Sequence, residues 1–99
     1  EELETFPPAD PGKRIGRDYI RFTVTDRPGV LAEITAAMRD AEVSIESLIQ
    51  RGRDHAGGEV LVAMVTHEGP ERCVTKALDL LNGSPSLTAA PLVMPILGD

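Results

Sequence analysis

The chain has 99 residues, of which 41% are apolar and 26% are charged, and its formal net charge is −6. This length accommodates one domain with its own core and excludes an enzyme of two lobes. The acidic balance argues against a protein that binds nucleic-acid phosphates, and an aromatic content of 3% leaves almost no side chains on which bases would stack. No apolar run approaches the ~20 residues that span a bilayer, so no membrane partner is expected.

Two further features of the sequence bear on its context. Cys73 is the single cysteine and has no internal disulfide partner, which is typical of a protein in a reducing cytoplasm. The chain begins at Glu1 rather than at a methionine, which indicates a piece of a longer polypeptide. We therefore expect a cytoplasmic domain that belongs to a larger protein.

Residues 1–18 are predicted to be a linker or a flexible N-terminus, and residues 19–97 to be the folded domain. The N-terminal segment combines Phe6-Pro7-Pro8 with Asp10-Pro11-Gly12 and shows no hydrophobic periodicity. Sequence alone does not separate a linker from a free terminus.

The first strand and the first helix are separated by a short turn. From Tyr19 onward, Ile20, Phe22 and Val24 alternate with polar residues, which predicts a strand with one buried face. The segment Asp26-Arg27-Pro28-Gly29 ends this strand, and apolar residues at helical spacing then continue to Ala41. Asp26 is predicted to cap the helix, and Pro28 is predicted to lie in its first turn.

The remaining elements show the same two periodicities. The third strand is apolar on both faces, and the second helix carries an apolar stripe that includes Cys73. In chain order, the predicted elements are a strand from Val43 to Arg51, a hairpin loop from Gly52 to Gly58, a strand from Val60 to Thr66, a helix between Gly69-Pro70 and Asn82-Gly83, and an extended segment from Leu87 to Leu97.

This order predicts an α+β, ferredoxin-like βαββαβ fold, a four-stranded antiparallel sheet with two helices on one face. Right-handed crossovers place the first and third strands in the middle of the sheet. Pro91 and Pro95 remove N–H donors from the last strand, so the second strand is the better edge for pairing with another copy. A partner domain that covers the helix-free face of the third strand is the competing explanation for association.

Neither a catalytic site nor a metal site is predicted. The sequence has no zinc-binding, nucleophile-elbow or phosphate-loop motif. His55 and His67 belong to no recognisable ligand spacing, and Cys73 is interpreted as a buried packing residue.

The turn from Asp26 to Leu31 has two interpretations. It is either a strand-to-helix connection only, or a site for a small zwitterion. In the second interpretation, Gly29 lets a ligand approach the backbone, the N–H groups of the helix start attract a carboxylate, and Asp26 meets an ammonium group.

The sequence resembles the ACT domain, a small ligand-sensing module of enzymes of amino-acid metabolism. The resemblance rests on residues 19–25, on Asp26-Arg-Pro-Gly-Val-Leu-Ala-Glu-Ile34 and on Val43-Ser-Ile-Glu-Ser-Leu-Ile-Gln50. The segments 44–53 and 65–68 resemble more narrowly the C-terminal regulatory domain of homoserine dehydrogenase. About four-fifths of the chain, roughly residues 18–97, takes part in this similarity.

The resemblance implies a function and a site. Homoserine dehydrogenases reduce aspartate semialdehyde with a nicotinamide cofactor, and threonine commonly inhibits them. The catalytic portion that holds NAD(P) is absent from this chain, so the fragment itself is expected to bind no cofactor and to catalyse no reaction. By position, the effector-binding residues are Asp26, Gly29, Val30, Leu31 and Gln50.

The family further implies that the effector lies at an interface between two modules, so a homodimer through the second strand and contact with the parent enzyme's catalytic domain are expected. An amide at Gln50 both donates to and accepts from a threonine hydroxyl. Ile45 or Ile49 is expected to contact the threonine methyl. The alternative for Gln50 is an exposed edge-strand residue, and Arg51 and Arg53 are either solvated charges or contacts to the catalytic portion.

Two other functions are alternatives to a sensing domain. An ACT fold that only mediates dimerisation is the alternative within the family. An RNA-binding module shares the topology but needs exposed aromatic side chains on the central strands, and the third strand has none.

Overall fold

The computed structural model of the chain describes residues 15–51 and 58–97. Most of the predicted N-terminal linker, residues 1–14, lies outside the described residues and stays a prediction. The same holds for residues 52–57, which contain His55, Arg53 and most of the predicted hairpin loop, and for residues 98–99.

The described residues form five strands and two helices. In chain order these are β1 (Ile15–Thr25), α1 (Val30–Asp40), β2 (Ile45–Arg51), β3 (Glu59–Thr66), β4 (Gly69–Pro70), α2 (Glu71–Leu81) and β5 (Leu92–Ile96).

The order of the strands confirms the predicted ferredoxin-like arrangement. β1 pairs with both β3 and β5, and β3 pairs with both β1 and β2, so β1 and β3 are central and β2 and β5 are edges. Every one of these pairs is antiparallel. β4 is an addition to the prediction, a two-residue strand that pairs with Ile15 and Gly16 at the start of β1.

The core lies between the sheet and the two helices. Ile20, Phe22 and Val24 of β1 are buried, as their alternation with polar residues predicts. They pack with a set of apolar side chains from both helices and from β3 that consists of Val30, Ile34, Ala37, Met38, Ala41, Val60, Val62, Met64, Val74, Ala77 and Leu81. The helical spacing of the apolar residues therefore places one face of each helix on the sheet.

Several element boundaries differ from the prediction. β1 begins at Ile15 rather than at Tyr19, because the preceding residues pair with β4 and β5 although they lack an alternating pattern. The last strand is Leu92–Ile96 and not the whole segment from Leu87, which makes only an isolated bridge to Val24. Cys73 is only half-buried.

The prediction that Asp26 caps α1 is wrong. The N-cap is Gly29, in a left-handed conformation, and the helix start receives no side-chain cap hydrogen bond. Pro28 precedes the helix instead of lying in its first turn. The Asp26 carboxylate is thus not the acceptor for the N–H groups at the start of α1.

The helix-free face of the sheet exposes apolar side chains. Leu61 of β3 is 36% exposed, Ile49 of β2 is 57% exposed, and Leu92 and Met94 of β5 are 46% and 44% exposed. Residues paired across neighbouring strands share a face of the sheet. The pairs Thr23–Leu61, Ala63–Ile49, Arg21–Leu92 and Tyr19–Met94 place all four apolar side chains on the face that the helices do not cover. Among residues 15–51 and 58–97, no helix is long and apolar enough to cross a membrane.

Candidate functional site

The turn between β1 and α1 is held by backbone hydrogen bonds to two distant segments. The Thr25 amide donates to the Ser86 carbonyl at 2.8 Å, and the Asp26 amide donates to the Gly58 carbonyl at 3.1 Å. Within the turn, the Arg27 amide donates to the Thr25 carbonyl at 3.0 Å. The start of α1 is therefore tied both to the segment that precedes β3 and to the segment that follows α2.

Gly29 gives this turn its shape. Its φ of 91° and ψ of −13° lie in the left-handed region, which glycine adopts without the steric cost that a Cβ brings. The Val30 amide donates to the Arg27 carbonyl at 3.5 Å. The next N–H groups in the first turn of a helix have no acceptor within the helix and point out of its N-terminal end. These groups and the helix dipole favour a negative charge at this point.

A cleft of about 360 Å³ lies against this turn. It is lined by Val24, Thr25, Asp26, Arg27, Pro28, Gly29, Val30, Leu31, Gln50 and Val62. All five residues predicted to bind an effector, Asp26, Gly29, Val30, Leu31 and Gln50, are among them. The volume is within the range of small-ligand sites in proteins.

Gln50 reaches this cleft from β2. It pairs in register with Val62 of β3, a buried core residue, so its side chain lies on the helix-covered face of the sheet. Although Gln50 is exposed, it is therefore not directed away from the turn. The strand register brings together two segments that are about twenty residues apart in the sequence.

Ile45 and Ile49, one of which is expected to contact the threonine methyl, are not among the residues that line this cleft. Ile49 pairs with Ala63 on the helix-free face, and Ile45 packs against the core on the far side of a β-bulge. The apolar lining comes instead from Val24, Leu31 and Val62. The bulge between Ile45 and Ser47 was not signalled by the pattern of apolar residues.

A hydrogen-bonded group beside the cleft has no counterpart among the motifs of the sequence. The Ser84 hydroxyl donates to the Glu33 carboxylate at 2.5 Å, and the Ser86 amide donates to the Ser84 oxygen at 3.1 Å. Arg27 donates from Nη2 to the Ser86 hydroxyl at 3.3 Å. The Ser84–Glu33 and Ser86–Arg27 partners are 51 and 59 residues apart, so no local sequence motif indicates these contacts.

The pKa of Glu33 is lowered from 4.5 chiefly by the hydrogen bond from Ser84, then by that from Ser86 and by the positive charge of Arg27, while partial burial opposes the shift. A carboxylate with a lowered pKa stabilises the fold above its unfolded pKa, and this contribution is lost as the pH falls through the folded pKa.

We expect Glu33→Gln to destabilise the chain at about pH 7, and we expect this loss to shrink as the pH is lowered from about 7 to about 2, because stability from the ionised carboxylate is lost as the pH falls through the lowered pKa of Glu33. Urea unfolding of both proteins across this pH range measures the difference. Ser84→Ala should show a similar loss that also fades in acid. A Glu33→Gln effect that is equally large at both ends of the range would contradict a role for the ionised carboxylate.

The other residues singled out from the sequence lie away from the cleft. His67 is exposed and follows β3, and with Cys73 it lines a separate cavity of about 110 Å³. Arg51 ends β2 and pairs with Leu61 on the helix-free face. Within the described part of the chain, no three His, Cys, Asp or Glu side chains are close enough together to hold a metal ion.

Comparison with known proteins identifies what this fold and this turn resemble. Residues 19–79 match the family model of the ACT domain. A homoserine dehydrogenase from Methylobacillus glycogenes is 27% identical over 70 residues, which are 71% of this chain and 17% of that protein. One from Corynebacterium glutamicum is 29% identical over 94 residues, which are 95% of this chain and 20% of that protein.

The chain thus spans about a fifth or less of the curated relatives it matches. Among solved structures, a homoserine dehydrogenase from Thiobacillus denitrificans superimposes with a TM-score of 0.77. That match is 23% identical and covers 92% of this chain and 20% of the other. At this identity the structural similarity establishes the fold alone.

Proposed function

Because the chain belongs to the ACT domain family, as a regulatory domain related to homoserine dehydrogenase, we propose that it senses an amino acid and that the amino acid is threonine. The observation that carries the proposal is the cleft in which Gln50 of β2 faces the Asp26–Leu31 turn. Binding of threonine there is proposed to mediate feedback inhibition of the parent enzyme.

The chemistry of the cleft suits a small zwitterion with a hydroxyl. The half-buried Asp26 carboxylate supports an ammonium group, and the N–H groups at the start of α1 support a carboxylate. The Gln50 amide both donates to and accepts from a hydroxyl group. Leu31, which lines the cleft and is only partly buried, supplies apolar surface for a methyl group.

The parent protein is proposed to be an NAD(P)-dependent homoserine dehydrogenase of the cytoplasm, acting in threonine biosynthesis. Support comes from the curated relatives, all of which are much longer than this chain. NAD(P) is expected in the catalytic portion outside this chain. For threonine to change the activity of the catalytic domain, it must bind more tightly to one arrangement of the regulatory and catalytic domains than to another.

A homodimer through β2 is proposed as the assembly that completes the site. β2 is an edge strand without proline, and β5, the other edge, carries Pro95, which has no N–H to donate. Gln50 lies on this same edge strand, so a partner strand added to β2 would lie next to the cleft.

We expect Gln50→Ala to weaken threonine binding about fivefold to tenfold, since one or two hydrogen bonds to the hydroxyl are lost. It should also remove the preference for threonine over valine, which has the same shape without the hydroxyl. Calorimetric titration of the 99-residue chain measures both quantities. Ser47→Ala is the matched control, because Ser47 lies on β2 and pairs with Val65 on the opposite face.

Unchanged threonine affinity and selectivity in Gln50→Ala would contradict the assigned role of Gln50. In the parent enzyme, the same variant should weaken inhibition by threonine while the oligomer stays intact. A parent enzyme that threonine does not inhibit would contradict the sensing function.

Dimerisation alone is the second candidate function. The open edge of β2 and the exposed Leu61 and Ile49 of the helix-free face favour association of this domain with another. Such a module would associate without any amino acid. Sedimentation with and without threonine separates the two functions, because only a sensing domain changes its association or stability when threonine is added.

A further inference from the structure

The rim of the cleft carries a pair of opposite charges. Among the described residues that line it, Arg27 is the one cation and Asp26 the one anion. The two are neighbours in the chain, and both follow the last residue of β1. A zwitterionic amino acid presents its ammonium and its carboxylate on one carbon, so a cation and an anion side by side match its charges.

The Arg27 side chain is held in place by a hydrogen bond to another part of the chain. Its Nη2 donates to the hydroxyl of Ser86 at 3.3 Å, and Ser86 is 3% exposed. The Ser86 carbonyl in turn accepts the Thr25 amide at 2.8 Å, so the anchor is tied to the end of β1. An exposed arginine usually has to be ordered by its ligand, and this hydrogen bond reduces that cost.

The charge of Arg27 is not paired directly within the described residues. The ion pairs among residues 15–51 and 58–97 join Arg17 to Glu46 and Arg39 to Asp40, and none involves Arg27. Glu33 acts on Arg27 from beyond ion-pair distance, and its own carboxylate is already bonded to Ser84. A guanidinium has five N–H donors in a planar fork, so donors other than the one on Ser86 remain for a ligand.

We propose that Arg27 binds the carboxylate of the amino acid in the cleft and makes the site selective for a free α-carboxylate. This inference rests on the proposed function, because it assigns a further residue to the same site. The N–H groups at the start of α1 donate to any oxygen acceptor, including the carbonyl oxygen of a neutral carboxamide. The guanidinium adds discrimination, because its charge and forked geometry favour a carboxylate over a carboxamide.

The proposal is tested by titrating the 99-residue chain with threonine and with threonine amide, whose carboxylate is replaced by a neutral carboxamide. The native chain is expected to bind threonine about tenfold more tightly than the amide. Arg27→Ala should weaken threonine binding about fivefold to tenfold and bind the amide as the native chain does. Arg27→Lys, which keeps the charge but not the fork, should fall between the two.

Arg51→Ala is the matched control, since it removes an exposed cation next to Gln50 in the chain but on the other face of β2. It should retain the native affinity and selectivity. Thermal unfolding of each variant confirms that the fold is intact, and Arg27→Lys keeps the test valid if the alanine variant is unstable.

The outcomes separate the two proposals. If the native chain binds threonine and Arg27→Ala retains the full preference over the amide, Arg27 is not the carboxylate ligand, while amino-acid sensing stands. If the native chain binds neither compound, both the sensing function and the role of Arg27 are overturned. Loss of the preference in Arg27→Ala alone supports the assignment.

Discussion

Replacing Gly29 with valine is expected to lower the free energy of unfolding by about 2 kcal/mol and to abolish threonine binding. The φ of Gly29 is 91°, a region that costs an L-residue about 1–2 kcal/mol and a β-branched residue more. A Cβ built at Gly29 would meet no heavy atom within 4 Å, so the cost is one of backbone conformation and not of collision. If the turn relaxes to relieve this cost, the N–H groups at the start of α1 move with it.

Gly83 provides a matched control for this substitution. Its φ is 86°, a Cβ there would also meet nothing within 4 Å, and it lies outside the cleft. Gly83→Val should lose a similar amount of stability, a fall in melting temperature of roughly 5–15 °C for a domain of this size, and keep threonine affinity. Equal affinity in both variants would show that the Gly29 turn does not shape the binding site.

Phe22→Ala is expected to destabilise the chain by about 3–5 kcal/mol, a large part of the total stability of a small domain. Phe22 is fully buried in β1, where it pairs with Val62 and packs in the central cluster between sheet and helices. Removing the ring leaves a cavity that the surrounding side chains fill only in part. Urea unfolding monitored by circular dichroism measures the loss.

Leu92→Ala is the control for Phe22→Ala, because Leu92 is an apolar residue of the same sheet that is 46% exposed on the opposite face. It should cost less than about 1 kcal/mol in the monomer. Comparable losses in the two variants would mean that the helix-free face is buried in solution, which would favour a covering partner over an open face.

The fold was predictable because its elements alternate between two clear periodicities. The period of two in β1 and the helical spacing in α1 and α2 each identify a buried face. The chain order then allows few topologies once crossovers are right-handed and connections are short. Ile15 and Gly16 were not predicted to be part of β1, because they pair through backbone groups, which a pattern of side chains does not reveal.

The site was predictable only in part from local chemistry. The turn from Asp26 to Gly29 is visible as a break between two periodicities, and the left-handed Gly29 is a reason for glycine there. Placing Gln50 in the same cleft required the family resemblance. Gln50 is distant from the turn in the sequence, and only the pairing of β2 with β3 brings the two together. The position of Ile49 on the helix-free face depends on the bulge in β2, which sets which residues of this strand face the helices and which the pattern of apolar residues does not indicate.

The Ser84–Glu33 and Ser86–Arg27 contacts could not have been found by spacing. They join the segment after α2 to the beginning of the domain, and serine hydroxyls carry no periodic signal. Residue type alone predicts Asp26 as the helix cap, whereas the N-cap in the structure is Gly29, in a left-handed conformation. Residue type is therefore a weak predictor of a helix start that depends on backbone conformation and not on a capping side chain.

The central claim is that threonine binds in the cleft between the Asp26–Leu31 turn and Gln50. Titration of the isotopically labelled 99-residue chain with threonine, followed by amide shifts in nuclear magnetic resonance spectra, tests it most directly. We predict saturable shifts of the Gly29 and Leu31 amides and of the Gln50 side-chain amide, with little change at Arg39 on the far end of α1. Millimolar threonine that leaves the Gly29 and Gln50 signals unmoved would contradict the claim.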